Sequence, residues 1–214
     1  MPMITTFLNP SRNLYIPVKI SSALFIFPIF HYIYLAIVIF MDIETPIAIL
    51  VNDKTVIYGK DAENLWKMGF YGEIREEVLT LLPVETLYLV ENGKIRVCLS
   101  KDRFLSFNEL LHYFLKYDPE VWIKYIIYSD LRRKGYIVKS GFGGISFRVY
   151  EKGAEVGKSP ANIIVYGVIE GKPIGLNELK EIVSTAKSLK KEMVLAIVNG
   201  QCEVAYYKVS EVFT

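Results

Sequence analysis

From Asp118 onward the chain alternates helical and strand periods in an order that few folds accommodate. Asp118-Pro119-Glu120 reads as a helix start, with an N-cap, a proline at the first helical position and an acidic first turn, ahead of VWIKYIIYSDLRRK and a closing Gly135. Three strand-like runs follow, YIVKS, ISFRVYE and NIIVYGVIE, separated by glycine-containing turns. Asn177 then stands as N-cap of LNELKEIVSTAKSLKK, whose Leu176, Leu179, Ile182, Val183, Ala186 and Leu189 recur at helical spacing. MVLAIVN and EVAYYKV close the chain, joined by Asn199-Gly200, a favoured hairpin pair. Helix, three strands, helix, two strands makes a mixed sheet flanked by helices, an α+β arrangement without internal repeats.

Upstream, IAILVN and TVIYG around Asp53-Lys54 predict a hairpin. Asp61 is placed to cap AENLWKM, which stops at Gly69, and a second helix follows Phe70-Tyr71-Gly72, with Pro83 in its first turn and Gly93 beyond its end. KIRVCLS alternates as a strand, and Ser106 caps a helix running to Leu115. Three regions result: an apolar extension over 1–40, a small mixed α/β domain over 41–117 and a second domain over 118–214.

Ile20 to Phe40 is uncharged and long enough to cross a bilayer, which takes about 20 residues. Read as an anchor, with Arg12 and Lys19 before it and Asp42 and Glu44 after, it places the short N-terminal arm in the cytoplasm and the remainder outside. Met41 directly after it offers a second reading, an over-extended start, and an apolar element packed on the fold is a third.

The sequence holds 25 Lys+Arg against 23 Asp+Glu, so no whole-chain field marks a nucleic-acid binder and any RNA surface must be a local patch. Cys98 and Cys202 each fall in an apolar strand-like run and read as small buried hydrophobes, which leaves neither a disulfide framework nor a zinc cluster. His31 and His112 are the only histidines, and His112 on its helix reads as a packed or surface residue.

One stretch carries a resemblance. Tyr128-x-Asp130-Leu131-Arg132-x-Lys134-Gly135-Tyr136-x-Val138-Lys139-x-Gly141-Phe142, then Phe147-Arg148-Val149-Tyr150 and Lys152-Gly153-Ala154, resembles the C-terminal nuclease domain of the archaeal tRNA-splicing endonucleases. The likeness continues through Ser188-Leu189-Lys190-Lys191 into MVLAIV and ends at YYKV, covering most of 121–209. Residues 41–117 are more loosely similar to the family's N-terminal domain, through Gly69-Phe70-Tyr71-Gly72 and Glu85-Thr86-Leu87-Tyr88-Leu89.

The resemblance implies cofactor-free, metal-independent cleavage of precursor tRNA at bulge-helix-bulge sites, leaving a 2′,3′-cyclic phosphate and a 5′-hydroxyl. Such chemistry needs a base for the 2′-hydroxyl, an acid for the departing 5′-oxygen and a cation for the phosphorane. The family's tyrosine and lysine positions match Tyr150 and Lys191. Its histidine does not match: the loop reads Gly157-Lys158-Ser159-Pro160-Ala161, and an arginine that often precedes the lysine by two helical turns is replaced by Ser184. The expectation is therefore a structural subunit in the cytoplasm, paired with a catalytic paralog in a complex holding two copies of each chain. Contact with precursor tRNA is expected through Arg132, Arg133, Lys139 and Arg148, and contact with the partner through the edge strand EVAYYKV and the Asn199–Glu203 loop, where only Glu203 is acidic. The alternatives are an active enzyme with a non-standard acid, or a membrane-anchored binding module on the same fold.

Overall fold

The computed structural model describes residues 45–100 and 103–209. Ile20–Phe40, with the readings attached to it, lies outside them, as does His31. Among the described residues no helix is long and apolar enough to cross a membrane.

The first half builds a six-stranded sheet. β1 (Ile47–Val51) and β2 (Lys54–Tyr58) form the expected hairpin. β3 (Glu73–Arg75) and β4 (Val78–Leu81) extend it on one side, and β5 (Arg96–Ser100) and β6 (Arg103–Leu105) on the other, in the order β3-β4-β2-β1-β5-β6. Only β1 and β5 run parallel. The sheet's inner face, including Ala48, Leu50, Ile57, Leu79 and Val97, buries against α1 (Gly59–Gly69) and α2 (Pro83–Glu91). Every residue from Val84 to Leu89 is buried, so α2 is enclosed on all sides. Its polar members are satisfied internally, Thr86 by Thr55 at 2.8 Å between hydroxyls. α3 (Phe107–Phe114) follows, held by a capping box between Ser106 and Glu109.

α4 (Val121–Arg133) leads into a five-stranded sheet of β7 (Ile137–Ser140), β8 (Phe147–Tyr150), β9 (Ile163–Ile169), β10 (Glu192–Val198) and β11 (Val204–Val209), ordered β11-β10-β9-β8-β7. β9 and β10 are parallel and joined by the crossover helix α5 (Leu176–Ser188); the other pairs are antiparallel. α4 lies between the sheets, and one continuous core joins α2, α4 and the sheet face bearing Val138, Val149, Val165 and Ala196. A smaller cluster, Ile145, Ile164, Ile182, Ala186 and Met193, packs α5 on the opposite face.

Several sequence expectations need correction. The β3–β4 hairpin and β6 are too short to show a period, and the sequence reading missed them. α1 starts two residues before Asp61, which sits in its first turn; α4 starts at Val121, with Asp118 accepting from the Glu120 amide at 3.0 Å; and α5 is capped by Gly175, with Asn177 inside the helix. The last hairpin uses a loop over Asn199–Glu203 rather than a two-residue turn. Asn199 Oδ1 accepts from the amides of Gln201 and Glu203, and Cys202, not Gly200, takes the left-handed conformation. Cys202 is exposed there and Cys98 is half-buried in β5, so neither is the buried hydrophobe expected.

Candidate functional site

The register of the second sheet brings Tyr150 and Lys191 together. Val149 of β8 pairs with Ile163 of β9, and Ile163 with Glu192 of β10. One residue further along, Tyr150, Asn162 and Lys191 stand level across three neighbouring strands. The pleat puts them on the face shared by Arg148, Ile164 and Met193, the face that α5 covers. Asn162 was not singled out by the sequence reading; only strand pairing reveals it.

Lys191 owes its position to the end of α5. The Lys190 amide bonds the Lys187 carbonyl and the Lys191 amide bonds the Ala186 carbonyl, the paired bonds of a Schellman motif with Lys190 left-handed at φ 53°. Glycine is the residue suited to that conformation, so Lys190→Gly is expected to raise stability by about 0.5–1 kcal/mol, measured by urea unfolding.

Tyr150 is 8% exposed at the end of β8. The loop beyond it turns twice, with Gly153 and Gly157 at positive φ, and the Glu155 carbonyl accepts from the amides of both Lys158 and Ser159. Ser159 is half-buried, Pro160 exposed and Ala161 buried. Lys191 Nζ donates to the Ala161 carbonyl, so the ammonium is tied to the loop residue that follows Ser159-Pro160. Among the described residues the only histidine is His112, exposed on α3 with Nδ1 at 2.8 Å from the Asn108 carbonyl. Ser184 is exposed on α5.

The expected basic patch divides. Arg133 is exposed at the end of α4, and Arg148 is half-exposed with Nε donating to the Ser140 carbonyl at 2.8 Å. Arg132 and Lys139 turn inward instead. Arg132 donates to the Gly69 carbonyl at 2.7 Å and lies 4.1 Å over the Tyr71 ring, and the buried Lys139 donates to the Gly72 carbonyl. Both cations therefore hold the Gly69–Gly72 turn of the first half against the second, and the patch open to solvent loses them.

Glu85 completes that junction from below. Its Oε1 accepts from the Gly72 amide and its Oε2 from the Leu82 amide, both at 2.9 Å. Burial raises its carboxyl above the usual carboxylate range, against the pull of these bonds and of Lys139 and Arg132; burial likewise lowers the Lys139 ammonium. Gly72 is required here, because a Cβ would stand 2.4 Å from the Thr80 carbonyl oxygen. Glu85, at the third helical position, bonds back to the Leu82 amide, half of a capping box; with leucine at the N-cap the sequence carries no full capping-box signature.

A cavity of about 530 Å³ opens away from Tyr150 and Lys191, between α4, the start of α2 and the β7–β8 turn. Tyr166 at its edge donates to Glu178 at 2.6 Å, and its phenol is pushed up to about 12, chiefly by burial and then by that bond.

The fold and this row of residues define a two-part α+β protein in which a tyrosine and a lysine stand level beside a loop that holds no histidine. Residues 47–111 match the N-terminal domain of tRNA intron endonucleases and residues 121–206 the catalytic C-terminal domain. The chain is 35% identical to a tRNA-splicing endonuclease of Methanococcus vannielii over 74% of its own length and 89% of that protein, and 38% identical to one of Pyrococcus abyssi over 70% and 86%. A tRNA-splicing endonuclease of Methanosarcina acetivorans is 36% identical over 72% of this chain, which spans only 43% of that relative. The chain belongs to the tRNA intron endonuclease family.

Proposed function

We propose that this chain is the structural subunit of a heteromeric tRNA-splicing endonuclease, working in the cytoplasm beside a catalytic paralog that excises introns from precursor tRNA at bulge-helix-bulge sites. The observation that carries the reading is the loop after Tyr150. Where the family's general acid stands, this chain has Ser159-Pro160, and Lys191 is bonded to the next carbonyl. Attack of the 2′-hydroxyl on the adjacent phosphate still finds a phenol at Tyr150 and a cation at Lys191. The described loop offers the departing 5′-oxygen no histidine, a deficit of about 10²–10⁴ in rate.

Precursor tRNA contact falls to Arg133 and Arg148, because Arg132 and Lys139 are engaged within the chain. Assembly, with two copies of each chain, is supported by β11, an edge strand of its sheet, and by the Asn199–Glu203 loop at its start.

Lys191→Ala tests the reading in the reconstituted complex. Precursor cleavage is expected to stay within about threefold of wild type, while this subunit loses about 1–2 kcal/mol for the lost bond to Ala161. A fall in cleavage of about 10²-fold or more, with the complex intact by sedimentation, would show that this chain's lysine stabilises the reacting phosphate.

A further inference from the structure

The residue after α1 breaks a backbone rule. Phe70 lies in the left-handed region at φ 53°, at a helix end where glycine is the suited residue. For a bulky side chain that conformation is strained, and strain of this kind gathers at ligand clamps. Phe70 and the exposed Met68 form one wall of an open groove of about 400 Å³. Tyr136 and Ile137, where the chain enters β7, form a second wall, and the loop after Tyr150, from Gly153 to Glu155, forms a third. Arg132, also in the lining, donates to the carbonyls of both Gly69 and Tyr136 and so fixes the first two walls against each other.

We propose that this groove seats one unpaired nucleotide of precursor tRNA, its base against Phe70 and Tyr136 and its phosphate at Lys152. Single strands are held by this combination, aromatic side chains for the bases beside a cation for the backbone. Lys152 supplies the cation. Its stem crosses Gly135, where a Cβ would meet Lys152 Cδ and Cε at 3.9 Å, and its ammonium stands 5.2 Å from the centre of the Tyr136 ring. Lys152 is exposed and forms no ion pair among the described residues. The neighbouring carboxylates are engaged, Glu155 with Lys158 at 2.6 Å, Glu151 with Asn162 at 3.3 Å and Asp130 with Lys134. The charge left free at the groove is therefore positive, which suits a phosphate. Continuity with the Tyr150 row also points to RNA: Ile137 pairs with Tyr150 across neighbouring strands, about 5 Å apart, and the third wall is the loop leaving Tyr150. The proposal rests on the reading that this chain contacts precursor tRNA, and it adds a base subsite that Arg133 and Arg148 do not supply.

The test places p-benzoylphenylalanine at position 68 of the full chain in the reconstituted complex, adds an intron-containing precursor tRNA and maps the photo-crosslinked nucleotide. The expected adduct is to a nucleotide outside the base-paired stems. Lys152→Ala is expected to lower the salt slope of precursor binding by about 0.7, and Tyr136→Leu to weaken binding about tenfold at an unchanged slope. A side chain that only shapes the fold would not separate affinity from salt slope in this way. An adduct confined to paired nucleotides or to protein, no adduct above that at the exposed Lys116, or both variants binding as wild type would each overturn the proposal. A complex that binds no precursor at all would overturn both the proposal and the tRNA reading on which it rests.

Discussion

Glu85→Ala is expected to destabilise the protein by about 3–5 kcal/mol, from one buried and one part-buried amide left unbonded at about 1–3 kcal/mol each and a small cavity in an enclosed helix. Its carboxylate holds the Gly72 and Leu82 amides together, and Lys139 and Arg132 hold the other side of the same turn. Glu85→Gln does not rescue the site, because one oxygen becomes an amide donor that faces a backbone donor. Its folded carboxyl is raised above the unfolded value, so the associated stability is fully present below the unfolded pKa and is lost as pH rises through the folded one. The gap between wild type and Glu85→Gln is therefore expected to widen as pH is lowered toward the ordinary carboxylate range. Urea unfolding at several pH values measures both effects; a loss below about 1 kcal/mol for Glu85→Ala would mean that the turn is held without it.

The second half was legible in the sequence where periods were long and turns carried glycine. The five strands and two helices after Asp118 followed from hydrophobic spacing, and Ser106 as the N-cap of α3 from its residue type. Short strands escaped: Glu73–Arg75 and Arg103–Leu105 are held by neighbours rather than by any period of their own. Tyr150 and Lys191 are singled out by family likeness alone, and their level alignment with Asn162 depends on pairing between β8, β9 and β10, which no local signal encodes. The basic residues show the same limit. Arg132, Arg133, Lys139 and Arg148 look alike along the chain, yet two of them reach back to carbonyls of Gly69 and Gly72 more than sixty residues upstream.

In the proposed reading, the missing general acid carries the largest expected functional effect. Where the family's histidine is expected, the loop reads Gly157-Lys158-Ser159-Pro160-Ala161, without an imidazole. The purified chain is therefore expected to cut precursor tRNA at a rate about 10²–10⁴ below that of the complex with its paralog. That comparison, made on one intron-containing transcript with cleavage products resolved, tests the structural-subunit account most directly. The account requires near-absent cleavage by the chain alone and full cleavage once the paralog is added. Efficient cleavage by the chain alone, with 2′,3′-cyclic phosphate ends, would contradict it.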